Sequence, residues 1–281
     1  MTAERGTIAG NFAGRYLIER ELGQGATATV HLARDMVSGR PVAVKVLRPE
    51  LTQSVDGVRF LREIRLTAQL HHPHIVTVLD SGEQDGLLYF VLPYLDGGTL
   101  RERLERERQL TIPDAVEIGR TIAGALHYAH GLGLLHRDVK PENILMSGGK
   151  ACLADFGIAR ALEHISGDTS SSGLIRGTAA YMSPEQASGE IDLDGRSDIY
   201  SLGCVLYELL AGVAPFIGPT AQSVMAQRFV LPPRPLSMYR PESPRELEAV
   251  IQRALMLVPA ERYRDAGEMM DDLARAAAGA T

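Results

Sequence analysis

The sequence predicts an α+β protein in which a small sheet-rich part is followed by a larger helix-rich part. Three features carry this expectation. Period-two apolar alternation marks the first third, apolar spacings of three and four mark the rest, and an Asp96-Gly97-Gly98 break falls between them, near residue 95. Strands are expected over 15–22, 29–35 and 41–47. In the last of these, Val42, Val44 and Val46 face one way and Ala43, Lys45 and Leu47 the other, and Ser38-Gly39 supplies the preceding turn. Residues 58–70 read as a helix, with Val58, Leu61, Ile64 and Ala68 as its stripe. Two further apolar runs, 75–80 and 87–93, the second after an Asp85-Gly86 turn, complete the sheet.

Past the break, residues 99–108 form a charged helix expected to be solvated on most sides, since its R-E-R-L-E-R-E-R run mixes both signs. Thr111-Ile112-Pro113-Asp114 has the look of a capped start, and Ala115, Ile118, Ile122, Leu126 and Ala129 then make an apolar stripe ended by Gly131. Helices are also expected over 199–210, 243–257 and 266–278.

Composition narrows the class. The 281 residues are 45% hydrophobic and 23% charged, which suits an ordinary globular protein with a sizeable core. With 29 basic against 35 acidic residues and a net charge of −6, nucleic-acid or anionic-membrane binding is disfavoured. Cys152 and Cys204 form no metal-spaced cluster and predict no disulfide framework, so a reducing compartment is expected. No apolar run of about 18 residues is present, so no membrane span is expected, and residues 1–10 carry no leader pattern.

The chemistry-bearing residues fall in a few short segments. Leu22-Gly23-Gln24-Gly25 lies between two strands, where glycines can bring backbone N–H groups to phosphate oxygens. Taken alone, two glycines there are an ordinary turn, and because the stretch leads into a strand, dinucleotide binding is disfavoured. Lys45 is an ammonium among valines, either an edge lysine reaching water or a phosphate ligand held by Glu63. His136-Arg137-Asp138-Val139-Lys140-Pro141-Glu142-Asn143 is the densest segment. A carboxylate there can accept a hydroxyl proton, a lysine can neutralise a transferring phosphoryl group, and an amide oxygen can ligate Mg²⁺. Asp155-Phe156-Gly157 adds a second acid after a short apolar strand. His71, His72 and His74 flank Pro73 without ligand-spaced partners, so a metal site is not expected there.

These segments, taken in order, resemble the protein kinase family. The motifs are Gly23-x-Gly25, Val42-Ala43-Val44-Lys45, His136-Arg137-Asp138, Asp155-Phe156-Gly157 and Ser183-Pro184-Glu185. Asp198 and Arg262 match late family motifs, and the stretch from Gly177-Thr178 through Tyr181 to Ala187 looks most like the bacterial Hanks-type serine/threonine kinases. The resemblance covers about residues 12–275. It implies an N-lobe over 12–95, with an antiparallel sheet and one main helix, a helical C-lobe over 96–275, and a tail or linker start at 276–281.

It also implies roles. Lys45 would hold the ATP α- and β-phosphates and pair with Glu63, in a contact that forms only in one of two positions of the helix. Asp138 would be the catalytic base, Lys140 would contact the γ-phosphate, and Asn143 and Asp155 would bind Mg²⁺. Leu22, Gly23 and Gly25 would lie over the nucleotide. Val30, Ala43 and Leu145 would sandwich adenine, with Tyr94 and Leu95 presenting backbone groups to it. Lys140 points to Ser/Thr acceptors. Arg137 beside Asp138 implies an activation segment ordered by phosphate, with Thr169, Ser170, Ser171 and Ser172 as phosphosite candidates and a second copy of the chain as the phosphorylating partner. Protein substrates and a cytoplasmic location are implied too, as a free protein or as the intracellular part of a membrane-anchored one. Ala28 at the third loop glycine, Pro93 and Ser183 depart from the family pattern, but none removes a catalytic group. The competing readings are a pseudokinase scaffold, which would lack Lys45, Asp138, Asn143 or Asp155, and a small-molecule phosphotransferase, which would lack the Gly177-to-Glu185 segment.

Overall fold

The alternation along residues 41–47 is realised as a strand with two different faces. The computed structural model describes residues 10–52, 56–156 and 179–278. Strands β1 (Gly10–Phe12), β2 (Tyr16–Gln24), β3 (Ala28–Asp35), β4 (Pro41–Leu47), β5 (Asp80–Gln84) and β6 (Leu87–Pro93) form an antiparallel sheet in the order β1-β2-β3-β4-β6-β5. Val42, Val44 and Val46 are buried in a cluster with Phe12, Tyr16, Ala33, Tyr89 and Val91. The register Val30↔Lys45 and Leu32↔Ala43 puts the half-exposed residues Val30, Ala43 and Lys45 on the opposite face.

Between β4 and β5 lie the short helix α1 (Pro49–Thr52) and α2 (Gly57–Thr67), whose N-terminus is capped by the Asp56 carboxylate accepting from Val58 and Arg59 N–H. The buried stripe of α2 is Phe60, Ile64 and Thr67, whereas Val58 is 81% exposed. The expected stripe is therefore rotated: the bulkiest apolar side chain, Phe60, decides which face turns inward, because full burial of such a side chain stabilises by about 1.5–3 kcal/mol. The strand expected over 75–80 is also displaced. Ile75 instead makes a parallel bridge to Leu153, and the polar segment Asp80–Gln84 forms the edge strand.

The chain divides into two compact units, one of residues 1–71 and 76–94 and the other of 72–75 together with the described residues from 95 onward. The second unit is built from α3 (Leu100–Glu107), α4 (Ile112–Gly131), the hairpin β7 (Ile144–Ser147) and β8 (Lys150–Leu153), α5 (Pro184–Ala187), α6 (Gly195–Ala211), α7 (Ala221–Val230), α8 (Arg245–Ala254) and α9 (Ala266–Ala278). Thr111 caps α4 as its sequence suggests, through a bond from Asp114 N–H. Helix α7 is absent from the sequence expectation, since its residues carry only a weak apolar stripe. Residues Ser197 to Ala211 of α6 are all buried. Close helix approach is what Gly119 and Gly203 permit: a Cβ on Gly119 would stand 2.7 Å from Leu206 Cδ2, and one on Gly203 2.9 Å from Ala254 Cβ. Among the described residues, no helix is long and apolar enough to cross a membrane.

One ion pair is enclosed by this unit. Arg262, with a 0% exposed side chain, meets both Glu185 oxygens at 2.7 and 2.8 Å. Its remaining N–H groups go to the carbonyls of Met256, Arg196 and Leu257, so all five guanidinium donors are used. Glu185 also accepts from Ser197 Oγ at 2.6 Å. Burial alone would raise the Glu185 carboxyl, but the Arg262 and Ser197 bonds outweigh it and hold the group below its ordinary value.

Removing one partner leaves a buried charge alone. Arg262→Met is expected to cost about 3–5 kcal/mol, and Glu185→Gln with Arg262→Met together less than the sum of the single changes. Urea unfolding of the two singles and the double checks this, and additive losses refute it. The sign of the pH dependence is set by the depressed Glu185 carboxyl. Its contribution is fully present above the unfolded value, about pH 4, and is lost as pH falls through the lower folded value. Stability measured between about pH 5 and pH 2 is therefore expected to fall less steeply in the double variant than in the wild type.

Candidate active site

The loop 132–143 begins where α4 ends, at Leu132, with Gly133 in the left-handed region. Asp198, in the first turn of α6, fixes the course of this loop. Its carboxylate accepts from His136 N–H at 2.8 Å, from Arg137 N–H at 2.7 Å and from His130 Nε2 at 2.8 Å. Burial is the largest influence and would raise this carboxyl, but the His130 hydrogen bond and charge, with His136, prevail and hold it low. Arg137 has φ 67°, a conformation that a side chain with a Cβ rarely adopts, and its carbonyl accepts from Gln186 Nε2 at 2.9 Å. Gln186 is itself fixed in a capping box with Ser183 at the start of α5.

His136 is wholly buried with both ring nitrogens engaged. Nδ1 lies 3.2 Å from the Asp138 N–H, and Nε2 lies 2.8 Å from the Ala154 carbonyl. The only arrangement that satisfies both is the Nε2–H tautomer. The ring packs edge-on against Phe156, 4.6 Å between centroids. Asn143 then joins the loop to the end of β8, because its carbonyl accepts from Ala154 N–H at 2.8 Å. The Ala154 peptide is thus held at both its N–H and its C=O, and Asp155 comes directly after it with φ 68°.

Around Asp138 the geometry is tight. Oδ2 receives Lys140 Nζ at 2.7 Å and Asn143 Nδ2 at 2.9 Å, and Asn143 Nδ2 also donates to the Asp138 carbonyl at 2.8 Å. Oδ1 is buried and has no hydrogen-bond partner among the described residues. A carboxylate oxygen in that state is an acceptor waiting for a proton donor. Both Nδ2 hydrogens of Asn143 are spent on Asp138, which leaves its Oδ1 as an oxygen ligand of the kind Mg²⁺ takes, with the Asp155 carboxylate as a second. Among the described residues no three His, Cys, Asp or Glu form a metal site of their own. The Asn143 amide oxygen and the Asp155 carboxylate are oxygen donors whose chemistry fits Mg²⁺, which keeps few protein ligands and completes its shell with phosphate and water oxygens.

Asp138, Lys140 and Asn143 are thus brought together within the second unit, and Asp155 is tied to them through Ala154. Leu145 lies on β7 opposite Cys152, and Leu95 belongs to the same unit. The first unit carries Leu22 and Gly23 on β2, Gly25 in the turn after it with its N–H on the Ala28 carbonyl at 2.9 Å, and Tyr94 after β6. Lys45 lies on β4, with Nζ 5.9 Å from the Phe90 ring centre, and Glu63 is half-exposed on α2 of the same unit. Gly157 and the phosphosite candidates Thr169, Ser170, Ser171 and Ser172 lie outside the described residues. His72 stacks on Tyr128 at 5.2 Å and His74 Nδ1 meets the Ala151 carbonyl at 3.0 Å.

The sequence reading missed some of this machinery. Arg101, in the helix expected to be solvated on most sides, turns into the unit: Nη1 bonds Glu208 at 2.9 Å, Nε bonds Glu142 of the loop 132–143 at 2.9 Å, and Nη2 bonds the Tyr181 hydroxyl, which donates to Glu208. Burial is the main cause that raises the Tyr181 hydroxyl and keeps it a donor. Leu100 and Leu104, spaced by four, were the available signal for which face of α3 is inward. Gln186 carried no signal beyond its capping-box spacing from Ser183.

The sequence matches the protein kinase domain family over residues 16–272. It is 43% identical over 275 residues to the serine/threonine-protein kinase PknB of Mycolicibacterium smegmatis and 42% identical to PknB of Mycobacterium tuberculosis, in each case over 96% of this chain and 44% of the relative. A probable serine/threonine-protein kinase of Streptomyces coelicolor is 41% identical over 92% of this chain and 39% of its own length. The chain thus spans less than half the length of these curated relatives. With the five motifs in order and a match that runs from β2 into α9, the chain belongs to the protein kinase family, in its bacterial serine/threonine branch.

Proposed function

We propose that this domain transfers the γ-phosphoryl group of ATP to serine and threonine hydroxyls of proteins, with Mg²⁺ as cofactor. The observation that carries this reading is Asp138: one oxygen is saturated by Lys140 and Asn143, while Oδ1 is buried and open to a donor. An acceptor hydroxyl donating to Oδ1 loses its proton there as its oxygen bonds to the γ-phosphorus. The bond from the γ-phosphorus to the bridging oxygen breaks in the same step, and ADP leaves with that oxygen. Lys140, held against Asp138, offsets the negative charge of the transferring group. Asn143 Oδ1 and the Asp155 carboxylate would hold Mg²⁺, which, when bound, neutralises charge on the phosphates. Lys45 would hold the α- and β-phosphates, with Val30 and Ala43 on its own sheet face against the adenine.

Lys45 and Glu63 act in this reading as a two-state pair, closed only in the active arrangement of α2. The segment from Thr169 to Ser172 is the site of autophosphorylation by a second copy, and Arg137 the receiver of the phosphate charge. Such an enzyme works where ATP is held, in the cytoplasm.

Asp138→Asn is expected to lower kcat by about 10²–10⁴-fold. Asp155→Asn is expected to abolish Mg²⁺-dependent turnover, both with melting temperatures near wild type. Transfer of radiolabelled phosphate to a Ser/Thr peptide measures it, and wild-type turnover by either variant refutes the assignment. Incubation of the wild type with Mg·ATP should also place phosphate within Thr169 to Ser172 by mass spectrometry, absent in Asp138→Asn. Phosphate found only elsewhere refutes the activation-segment role.

A further inference from the structure

Arg228 is a charged residue that the reaction leaves unused, yet it is only 4% exposed in α7. A buried guanidinium must be compensated. Among the described residues it pairs with no carboxylate. Nη1 donates to the Met182 carbonyl, Nη2 donates to the Ala179 carbonyl, and the group lies 5.9 Å from the centre of the Phe216 ring. Nε is buried without an acceptor. The charge is therefore met by backbone dipoles and the face of the Phe216 ring, with no carboxylate, and what the side chain supplies is shape. A rigid planar fork with donors on separate nitrogens spans two carbonyls three residues apart and so sets the curvature of the turn between them.

That turn is linked to the catalytic loop on both sides. At its centre, Tyr181 bonds Glu208 and Arg101, and Arg101 also holds Glu142. At its end, Ser183 caps α5, whose Gln186 donates to the Arg137 carbonyl at 2.9 Å. Through these bonds residues 179–183 are tied to the loop that carries Asp138, the residue to which an acceptor must deliver its hydroxyl in the kinase reading.

We propose that Arg228 is a positioning residue for the protein acceptor: it sets the backbone of residues 179–183 against which the acceptor lies, and it has no part in nucleotide binding. This rests on the kinase reading above. It distinguishes Arg228 from Lys45, Asn143 and Asp155, whose loss reaches the nucleotide or its metal.

The test is steady-state kinetics of Arg228→Met and Arg228→Lys, with the best acceptor peptide that the wild type selects from a degenerate Ser/Thr library. Methionine fills the volume without the buried charge, and lysine keeps the charge without the fork. Both are expected to raise the peptide KM by about ten- to a hundred-fold, the scale of losing hydrogen bonds to a charged group. The KM for ATP and the thermal shift induced by Mg·ATP should stay at wild-type values. If Arg228→Met fails to fold, Arg228→Lys carries the same comparison, and a peptide KM fully retained by lysine removes the role of the fork. An unchanged peptide KM in folded variants overturns the proposal, as does a parallel loss in ATP KM and thermal stability, which would mark Arg228 as general scaffolding. A wild type that binds Mg·ATP but phosphorylates no library peptide overturns the kinase reading itself, an outcome distinct from every variant result.

Discussion

Asp198 is 1% exposed in the first turn of α6, and it accepts two consecutive backbone N–H groups, from His136 and Arg137, together with His130 Nε2. The loop that carries Asp138 depends on this carboxylate because Arg137 sits at φ 67°. A left-handed residue other than glycine costs about 1–3 kcal/mol. Hydrogen bonds to a charged group are worth about 1.5–3 kcal/mol each, so two of them outweigh the strain. A neutral amide at position 198 would keep the shape but offer only one acceptor oxygen for the adjacent donors. The strained turn is thus stable only against a fixed, charged acceptor carried by the most deeply buried helix of the unit.

The second unit repeats this device. Irregular segments are tied to helices through buried ionised side chains. Arg262 spends all its donors on Glu185 and on three carbonyls, and Arg101 joins Glu142, Tyr181 and Glu208. The first unit solves its problem differently. There the sheet register alone places Lys45 beside Val30 and Ala43 on one face, while alternate valines anchor the strand in the core. Ladder geometry suffices where the candidate residues lie on a strand, and buried charge is used where they lie on loops.

Much of this was legible in the sequence, and its limits have physical causes. The β4 alternation, the Thr111 cap and helix α9 at Ala266–Ala278 come directly from periodicity and capping chemistry. Asp138, Lys140 and Asn143 share a short segment, so their meeting is local and could be foreseen. Val58 was misread because a periodic pattern admits more than one face, and the volume of Phe60 decides between them. The run 75–80 was misread as a strand because an apolar stretch reports burial and not hydrogen bonding, and Ile75 is buried by bridging to Leu153. Arg101 and Arg228 look like surface residues in any one-dimensional reading. Their partners lie 107 positions away for Arg101–Glu208 and 46 for Arg228–Met182, distances that no local pattern spans.

The short segment 72–75 has a bearing on how the molecule can be divided. It is flanked on both sides by residues of the first unit, yet it groups with the second, where Ile75 bridges Leu153, the His74 carbonyl accepts from Leu153 N–H at 2.9 Å and the Pro73 carbonyl receives Cys152 Sγ. The chain therefore enters the second unit, leaves it and enters again. A cut near residue 95 would strip the β8 edge of these partners and leave the Leu153 N–H without its acceptor at an exposed strand edge, where other chains can pair. The helical unit is thus not separable as the contiguous stretch after residue 95, and a division that respects its sheet must carry a piece of chain from far upstream.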